Sequence, residues 1–200
     1  MTRLWDAAEA ERWLAAHKAS AAVDPEYYAT AEDIAFANGT DKADFQRLLS
    51  EGVKREPGYY GIYLSAMKYY LPSAYGSNAL VDWIARLGAE KTKASDDAGT
   101  YARVYLAYAD CGCEIWQSSV DWSLMKRSMA DVASRYPADW NFVRFAKIAC
   151  QMGDGTEAAR YLAKLRHDNG LAWSTGDERN RCFDLAGLKS ATIMPSAQQP

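Results

Sequence analysis

Long hydrophobic runs are missing from this 200-residue chain. No segment approaches the roughly 20 consecutive apolar residues that a membrane-spanning helix needs. The first residues, MTRLWDAAEAERWLAAHK, contain no unbroken apolar stretch and therefore do not resemble a secretory signal peptide. From these two absences we expect a soluble chain that works in the cytoplasm and does not bind a membrane.

Basic charge and histidine are also scarce. The chain has 23 Lys and Arg against 26 Asp and Glu, a net charge of −3, whereas a nucleic-acid-binding surface normally needs a basic excess. Only two histidines are present, and no G-x-S-x-G motif, H-E-x-x-H motif or Ser/His/Asp set occurs. We therefore expect a protein that is not an enzyme, with no catalytic residues, no cofactor, no metal ion and no nucleic-acid partner.

Acidic residues, by contrast, gather near the N-terminus. Within residues 1–56 they outnumber the basic ones, and the remainder of the chain is close to neutral. Such a cluster is typical of a solvated face, and it also fits a docking patch for a basic partner. Its members are Asp24, Glu26, Glu32, Asp33, Asp41 and Asp44.

The stretch from Pro57 to Lys93 contains two helical patterns joined by a Pro/Gly/Ser-rich turn. A helix that is apolar on two sides is covered on two sides, as in stacked helical hairpins. We predict an all-α protein, an α-α superhelix of about nine to ten helices in antiparallel hairpins. The first pattern has one stripe of Tyr60, Tyr63, Leu64, Met67, Tyr70 and Leu71 and a second of Tyr59, Ile62, Ala66 and Tyr69.

Similar hairpins follow one another along the chain, separated by Gly and Pro. Pro25 and Pro57 each open a hairpin, each is followed by x-Tyr-Tyr, and they are 32 residues apart (57 − 25). This spacing is close to the 34-residue tetratricopeptide period. We predict a single helical repeat domain over residues 1–188 and a disordered tail over residues 189–200.

Several motifs resemble known helical repeats. The spacing of Phe142, Phe145, Ala146, Ala149, Ala158, Leu162 and Leu165 is similar to that of a tetratricopeptide repeat, in which small residues lie where two helices cross. The stretches PGYYGIYLSAMKYYLPSAYGS, TYARVYLAYA and YPADWNFVRFAKIACQMGDGTEAARYL also resemble a bacterial helical-repeat family of unknown function. Tyr75 and Leu106 depart from that family's pattern. The resemblance implies a right-handed tetratricopeptide-like fold and carries no reaction with it.

The four cysteines offer one spacing that could carry chemistry, Cys111-Gly-Cys113-Glu114. Zinc sites commonly use two C-x₂₋₄-C pairs or a comparable set of four ligands, and no second pair is present. An inert thiol pair, a reactive dithiol and a zinc site remain open, with the inert pair favoured. Cys150 and Cys182 lie on apolar stripes, where we expect small core residues with free thiols.

Aromatic residues are abundant, with seven Trp and thirteen Tyr. In a helical superhelix such side chains can line a groove, where they supply stiff contact area for a partner. We therefore expect a protein-protein interaction adaptor that binds a peptide or protein, and as an alternative an immunity-type inhibitor that neutralises a toxin or enzyme through the acidic N-terminal face. The candidate partner-binding residues are Tyr59, Tyr63, Tyr101, Arg103, Tyr105, Trp116, Trp140 and Arg144.

The thiol pair gives a first testable prediction. No Lys, Arg or His lies between Val104 and Met125, and Glu114 disfavours a neighbouring thiolate. We expect purified protein to hold no stoichiometric metal, and Cys111 and Cys113 to be alkylated slowly and unselectively at neutral pH. Elemental analysis that finds one zinc per chain, or one thiol that reacts far faster than free cysteine, would contradict this expectation.

Overall fold

The computed structural model describes residues 7–167, 170 and 172–188. All regular structure within these residues is helical: twelve α-helices, ten of them eight residues or longer, and one short 3-10 helix. The prediction of an all-α protein built from helical hairpins is confirmed. The predicted disordered tail from residue 189 lies outside the described residues. No helix in the described part is both long and apolar enough to cross a bilayer.

The chain forms two compact units, residues 1–113 and 114–200. In the first unit α3 packs on α1 and α5, and α5 packs on α8, so these helices make an inner row. Helices α4 and α6 each pack on the inner helices before and after them. The first unit contains α1 (Ala7–Ala16), α2 (Lys18–Ala21), α3 (Glu26–Asn38), α4 (Lys42–Arg55), α5 (Tyr60–Tyr69), α6 (Asn78–Lys91), α7 (Lys93–Asp96) and α8 (Gly99–Asp110).

Helices α4 and α6 are equivalent parts of successive hairpins. Each has 14 residues and begins after a side chain that caps its first turn, Asp41 for α4 and Ser77 for α6. These capping oxygens accept hydrogen bonds from backbone amides that have no partner within the helix. Ser77 lies 36 residues after Asp41 (77 − 41), so the structural period here is longer than the 32 residues between the two prolines.

A glycine near the end of each of these helices lets the hairpin close. A Cβ atom on Gly52 would lie 3.1 Å from the Cβ of Tyr28 in α3. On Gly88 it would lie 2.7 Å from Thr100 Cγ2 and 3.0 Å from Tyr63 Cγ. Both glycines are buried, and each permits a backbone to approach a large ring of the inner row.

The second unit is smaller and centres on one helix, which packs against all the other elements of that unit. Phe145, Ala146 and Ala149 on this helix are fully buried, as is Ala158 on its partner helix, in keeping with the predicted crossing of small residues. The elements are η1 (Ile115–Gln117), α9 (Trp122–Arg135), α10 (Asp139–Gln151), α11 (Gly155–Leu162) and α12 (Gly176–Leu185).

Cys150 and Cys182 form a disulfide between α10 and α12. The expectation that both are free thiols was wrong, because the two helices pack side by side and bring the Cα atoms to 5.4 Å, a separation that a disulfide spans. Their apolar surroundings were expected correctly for Cys182, which is buried. Cys111 and Cys113 remain free thiols, the first exposed and the second half-buried.

The disulfide gives a stability prediction. Because it closes a loop between residues 32 apart, the loop-entropy model gives it about 3–4 kcal/mol of stability. The double variant Cys150→Ser/Cys182→Ser should unfold at a clearly lower denaturant concentration, whereas the matched control Cys111→Ser/Cys113→Ser should differ by less than about 0.5 kcal/mol. Four alkylated thiols in unfolded, unreduced wild-type protein, rather than two, would contradict the assignment.

Candidate partner-binding groove

An open groove of about 910 Å³ runs between α4 and α6 in the first unit. Its floor and walls are largely apolar in the middle and polar at both ends. A concave, partly apolar surface of this size is typical of a binding site. The lining residues are Gln46, Leu49, Ser50, Val53, Lys54 and Pro57 on one side and Trp83, Leu87, Glu90 and Lys91 on the other.

Trp83 forms the aromatic wall of the groove. Its side chain is 45% exposed, although it is one of the largest apolar groups in the unit. Behind it lies the fully buried Tyr70, whose ring meets the indole edge-to-face with centroids 5.9 Å apart. Tyr70 packs in the same way on Phe45 at 5.6 Å. The indole is therefore supported from behind and presents a face to solvent, as interface aromatic residues do.

Behind one end of the groove lies a buried polar group without a partner. The Tyr70 hydroxyl is buried and has no hydrogen-bond partner among the described residues. Burial raises the pKa of Tyr70, and the Gln46 amide lies close enough to oppose that increase without completing a hydrogen bond. The Tyr70 hydroxyl is closed off from the groove, and the exposed Gln46 amide is the polar group that an occupant can reach at this end.

The opposite end of the groove carries charge. Lys91 lies 3.0 Å from Glu90 in an exposed ion pair, whereas Lys54 has no ionic or hydrogen-bonding partner in the described part of the chain. The neighbouring Arg55 faces Glu51 at 3.9 Å. The rim therefore has one more positive than negative charge, and the Lys54 ammonium is open to a partner.

Three of the candidate aromatic residues lie inside the first unit and do not reach its surface. Tyr63, Tyr101 and Tyr105 are each fully buried. The Tyr63 hydroxyl donates to the Pro57 carbonyl at 2.7 Å, and those of Tyr101 and Tyr105 donate to Asp82 Oδ1 at 2.5 and 3.1 Å. Burial is also the main reason that the pKa of Tyr105 is raised. These residues belong to the core, because helices pack on both sides of α5 and α8.

Tyr59 and Arg103 lie on a different surface, at the start of α5 and in α8. Arg103 holds Asp96 with two hydrogen bonds of 3.0 and 3.3 Å, and its guanidinium lies 5.2 Å from the centre of the Tyr60 ring. Tyr59 donates a hydrogen bond to Glu26, which raises the pKa of Tyr59 to about 12. Each polar group here already has a partner within the chain.

The remaining candidates lie in the second unit. Trp116 is 56% exposed and its indole N–H donates to Glu114 at 3.1 Å. Trp140 is 48% exposed, with the Arg144 guanidinium 5.4 Å from its ring centre. These side chains are accessible, and neither of them lines the groove between α4 and α6. The structure therefore does not gather the eight candidates into one site.

The acidic N-terminal cluster is engaged within the chain. Its five exposed or half-exposed carboxylates each accept a hydrogen bond from a neighbouring group, and two of them, Asp33 and Asp44, are ion-paired with Lys68 and Arg47. Asp24 accepts from the Glu26 amide, Glu26 from Tyr59, Asp33 from Lys68, Asp41 from the amides of Ala43 and Asp44, and Asp44 from Arg47.

Glu32, the sixth member, is fully buried where α3 packs on α5. Neither of its oxygens has a hydrogen-bond partner within the described residues. Burial raises the pKa of Glu32 well above its ordinary value, and the nearby charge of Asp33 adds to the increase. The backbone of Ala66 and the Lys68 ammonium oppose the shift and are outweighed. Burial therefore favours the protonated form of this carboxyl.

The described residues contain no group of three or more His, Cys, Asp or Glu side chains placed to hold a metal ion. Comparisons of the chain with protein-family models, with curated proteins and with solved structures find no match. The resemblance to tetratricopeptide-like bacterial repeats therefore stays a prediction that rests on the motifs themselves.

Two features that the sequence analysis missed, the exposed Trp83 and the buried Glu32, do have a signal in the sequence. Trp83 stands off the apolar stripe of its helix, which runs through Val81 and Ile84, and a tryptophan in that position indicates an exposed indole. Glu32 stands on the buried stripe between Tyr28 and Ala35, where a carboxylate is unexpected. Both can be found by asking which large or charged residues break the helical pattern.

Glu32 gives a pH prediction. In the unfolded chain the carboxyl ionises near its ordinary pKa of 4.5, whereas in the folded protein it stays protonated to a higher pH. The free energy of unfolding therefore falls as pH rises from about 4.5 through the folded pKa, by about 1.4 kcal/mol for each unit between the two pKa values.

The isosteric Glu32→Gln variant cannot ionise, so above about pH 4.5 it should be more stable than wild type, with the difference growing as pH rises and vanishing near pH 4. Urea unfolding across this pH range measures the effect. Glu51→Gln is the control, and its effect on the free energy of unfolding should have the opposite sign. Lys18 lowers the pKa of Glu51, so removing the Glu51 charge should destabilise the protein slightly at pH 7. A Glu32→Gln variant with wild-type pH dependence would show that the carboxyl is ionised in the fold.

Proposed function

We propose that the first unit is a protein-binding module that takes a peptide segment of another protein in the groove between α4 and α6. One observation carries the proposal. A half-exposed Trp83, fixed from behind by Tyr70, borders a cavity of about 910 Å³. Preorganised aromatic residues beside an apolar pocket are the common anchors of protein interfaces.

The order of helix packing supports a tetratricopeptide-like arrangement in this unit. Helices α3, α5 and α8 stack in sequence, and α4 and α6 each join two neighbours of that row. Repeats of this kind use their extended faces to bind other proteins, and here the analogy concerns the fold alone. It favours an interaction role for the groove without naming the partner.

The alternative, an inhibitor that acts through the acidic N-terminal face, stays a prediction with less support. Two of its exposed carboxylates, Asp33 and Asp44, are already paired with Lys68 and Arg47, which reduces the charge open to a basic partner. The predicted cytoplasmic location is likewise weakened by the disulfide, because disulfides persist mainly in oxidising compartments. We propose that the protein works where the Cys150–Cys182 bond is maintained.

Site-specific photo-crosslinking tests the proposed groove. Ser50 and Ala43 are both exposed on α4, but only Ser50 lines the groove. Benzoylphenylalanine at position 50 should give a discrete adduct in the native lysate, and the same group at position 43 should not. Adding Trp83→Ala should reduce the adduct severalfold, because the aromatic anchor is gone.

Circular dichroism must show that the Trp83→Ala protein keeps its helix content, so that a lost adduct reports on the groove. Equal adducts from positions 43 and 50, or an adduct at position 50 that Trp83→Ala leaves unchanged, would rule out the groove as the binding surface.

A further inference from the structure

We propose that the occupant of the groove is a short apolar peptide segment that carries a carboxylate, and that this carboxylate pairs with Lys54. The inference rests on the proposed function and specifies its partner. It follows from the different chemistry of the two ends of the groove and of its middle.

The groove has a defined length and direction. Gln46 and Trp83 mark one end, where both approach Tyr70, and Lys54 and Lys91 lie at the other. Gln46 and Lys54 are eight residues apart on α4, about 12 Å at the rise of an α-helix. Two turns of a helix or about four extended residues fill that distance.

The middle of the groove selects apolar side chains. Leu49 is almost fully buried at its floor, and Val53 and Leu87 are partly covered beside it. Leu49 and Val53 stand four residues apart, so they form one row on α4. A segment with two apolar side chains about one turn apart would complete this surface and remove apolar area from water.

The charged end selects the sign of the partner. Lys54 is exposed and has no partner in the described part of the chain, whereas Lys91 and Arg55 each face a glutamate. A carboxylate brought to this end meets an ammonium that need not break an existing pair, while a cation meets net positive charge. Charge complementarity therefore favours an acidic residue at the Lys54 end and sets the direction of the segment.

The other end offers a polar contact. Gln46 lines the groove there and is exposed, so its amide is open to an occupant. A backbone carbonyl of the segment at this end can accept from Gln46. The occupant thus has a hydrogen-bonding atom at one end, apolar side chains in the middle and a carboxylate about 12 Å away.

Other occupants make different predictions. Residues 189–200 of the chain include Ile193 and Met194 but no Asp or Glu. A second copy of the chain would give a dimer that depends on the groove. The tail therefore brings no carboxylate side chain to Lys54, and a second copy is distinguished from an acidic peptide by the oligomeric state.

A random octapeptide library displayed on phage and selected on the purified full chain provides the test. The same library is selected on Lys54→Glu and on Lys42→Glu, an exposed lysine at the start of α4 that lies outside the groove and serves as the matched charge control. Two further variants disable the groove in different ways: Trp83→Ala removes its aromatic wall, and Ser50→Trp fills it with a large side chain.

Peptides enriched on wild type should combine two apolar residues with an Asp or Glu, and those enriched on Lys54→Glu should carry Lys or Arg in its place. In fluorescence anisotropy, a wild-type-selected peptide should bind Lys54→Glu about five- to tenfold more weakly and Lys42→Glu within about twofold.

Groove-dependent peptides without an acidic preference would overturn this inference and leave the proposed function intact. Peptides unaffected by both Trp83→Ala and Ser50→Trp, or no enrichment at all, would overturn both. If sedimentation shows a dimer that Trp83→Ala dissociates, the occupant is a second copy of the chain, and the acidic peptide is overturned. If peptides bind only to a chain shortened to residue 188 and not to the full chain, the occupant is the chain's own tail, and the acidic peptide is likewise overturned.

Discussion

The close approach of α4 and α6 to the tyrosine rings of the inner helices is the constraint on which the first unit depends. At Gly52 the backbone lies against Tyr28, and at Gly88 it lies against Tyr63 and Thr100, with no room for a further carbon atom at the latter. Because both helices close onto the inner row at equivalent points, they lie side by side and leave the groove between them. The groove is therefore a consequence of backbone packing.

Tyrosine is the main core residue of this unit, and its hydroxyl imposes a second constraint. Each buried hydroxyl needs a partner, because leaving it unpaired costs about 1–3 kcal/mol. Asp82 satisfies two of them, and the Pro57 carbonyl satisfies a third. The Tyr70 hydroxyl and the buried carboxyl of Glu32 are the exceptions among the described residues of this unit. The tyrosine hydroxyls of α8 thus all have hydrogen-bond partners, whereas the Tyr70 hydroxyl behind the groove has none among the described residues.

Much of the fold could be predicted from the sequence, because helix stripes and caps are local. Ser77, of a residue type preferred at helix N-caps, caps α6, and Gly39, which tolerates the left-handed conformation, ends α3. The site could not be predicted in the same way. Tyr63 and Tyr105 lie on apolar stripes, and a stripe shows that a face is apolar without showing how many neighbours cover it. The Cys150–Cys182 pairing likewise depends on how α10 and α12 pack, which no local spacing records.

The central claim is that the groove beside Trp83 is the binding surface, and the exposed Trp116 and Trp140 of the second unit are its competitors. Fluorine NMR of 5-fluorotryptophan-labelled protein separates them, since each of the seven tryptophans gives its own resonance and a Trp→Phe variant assigns it. Addition of the bound partner or a selected peptide should shift the Trp83 resonance and leave those of Trp116 and Trp140 in place. A shift of Trp116 or Trp140 with Trp83 unmoved would contradict the account.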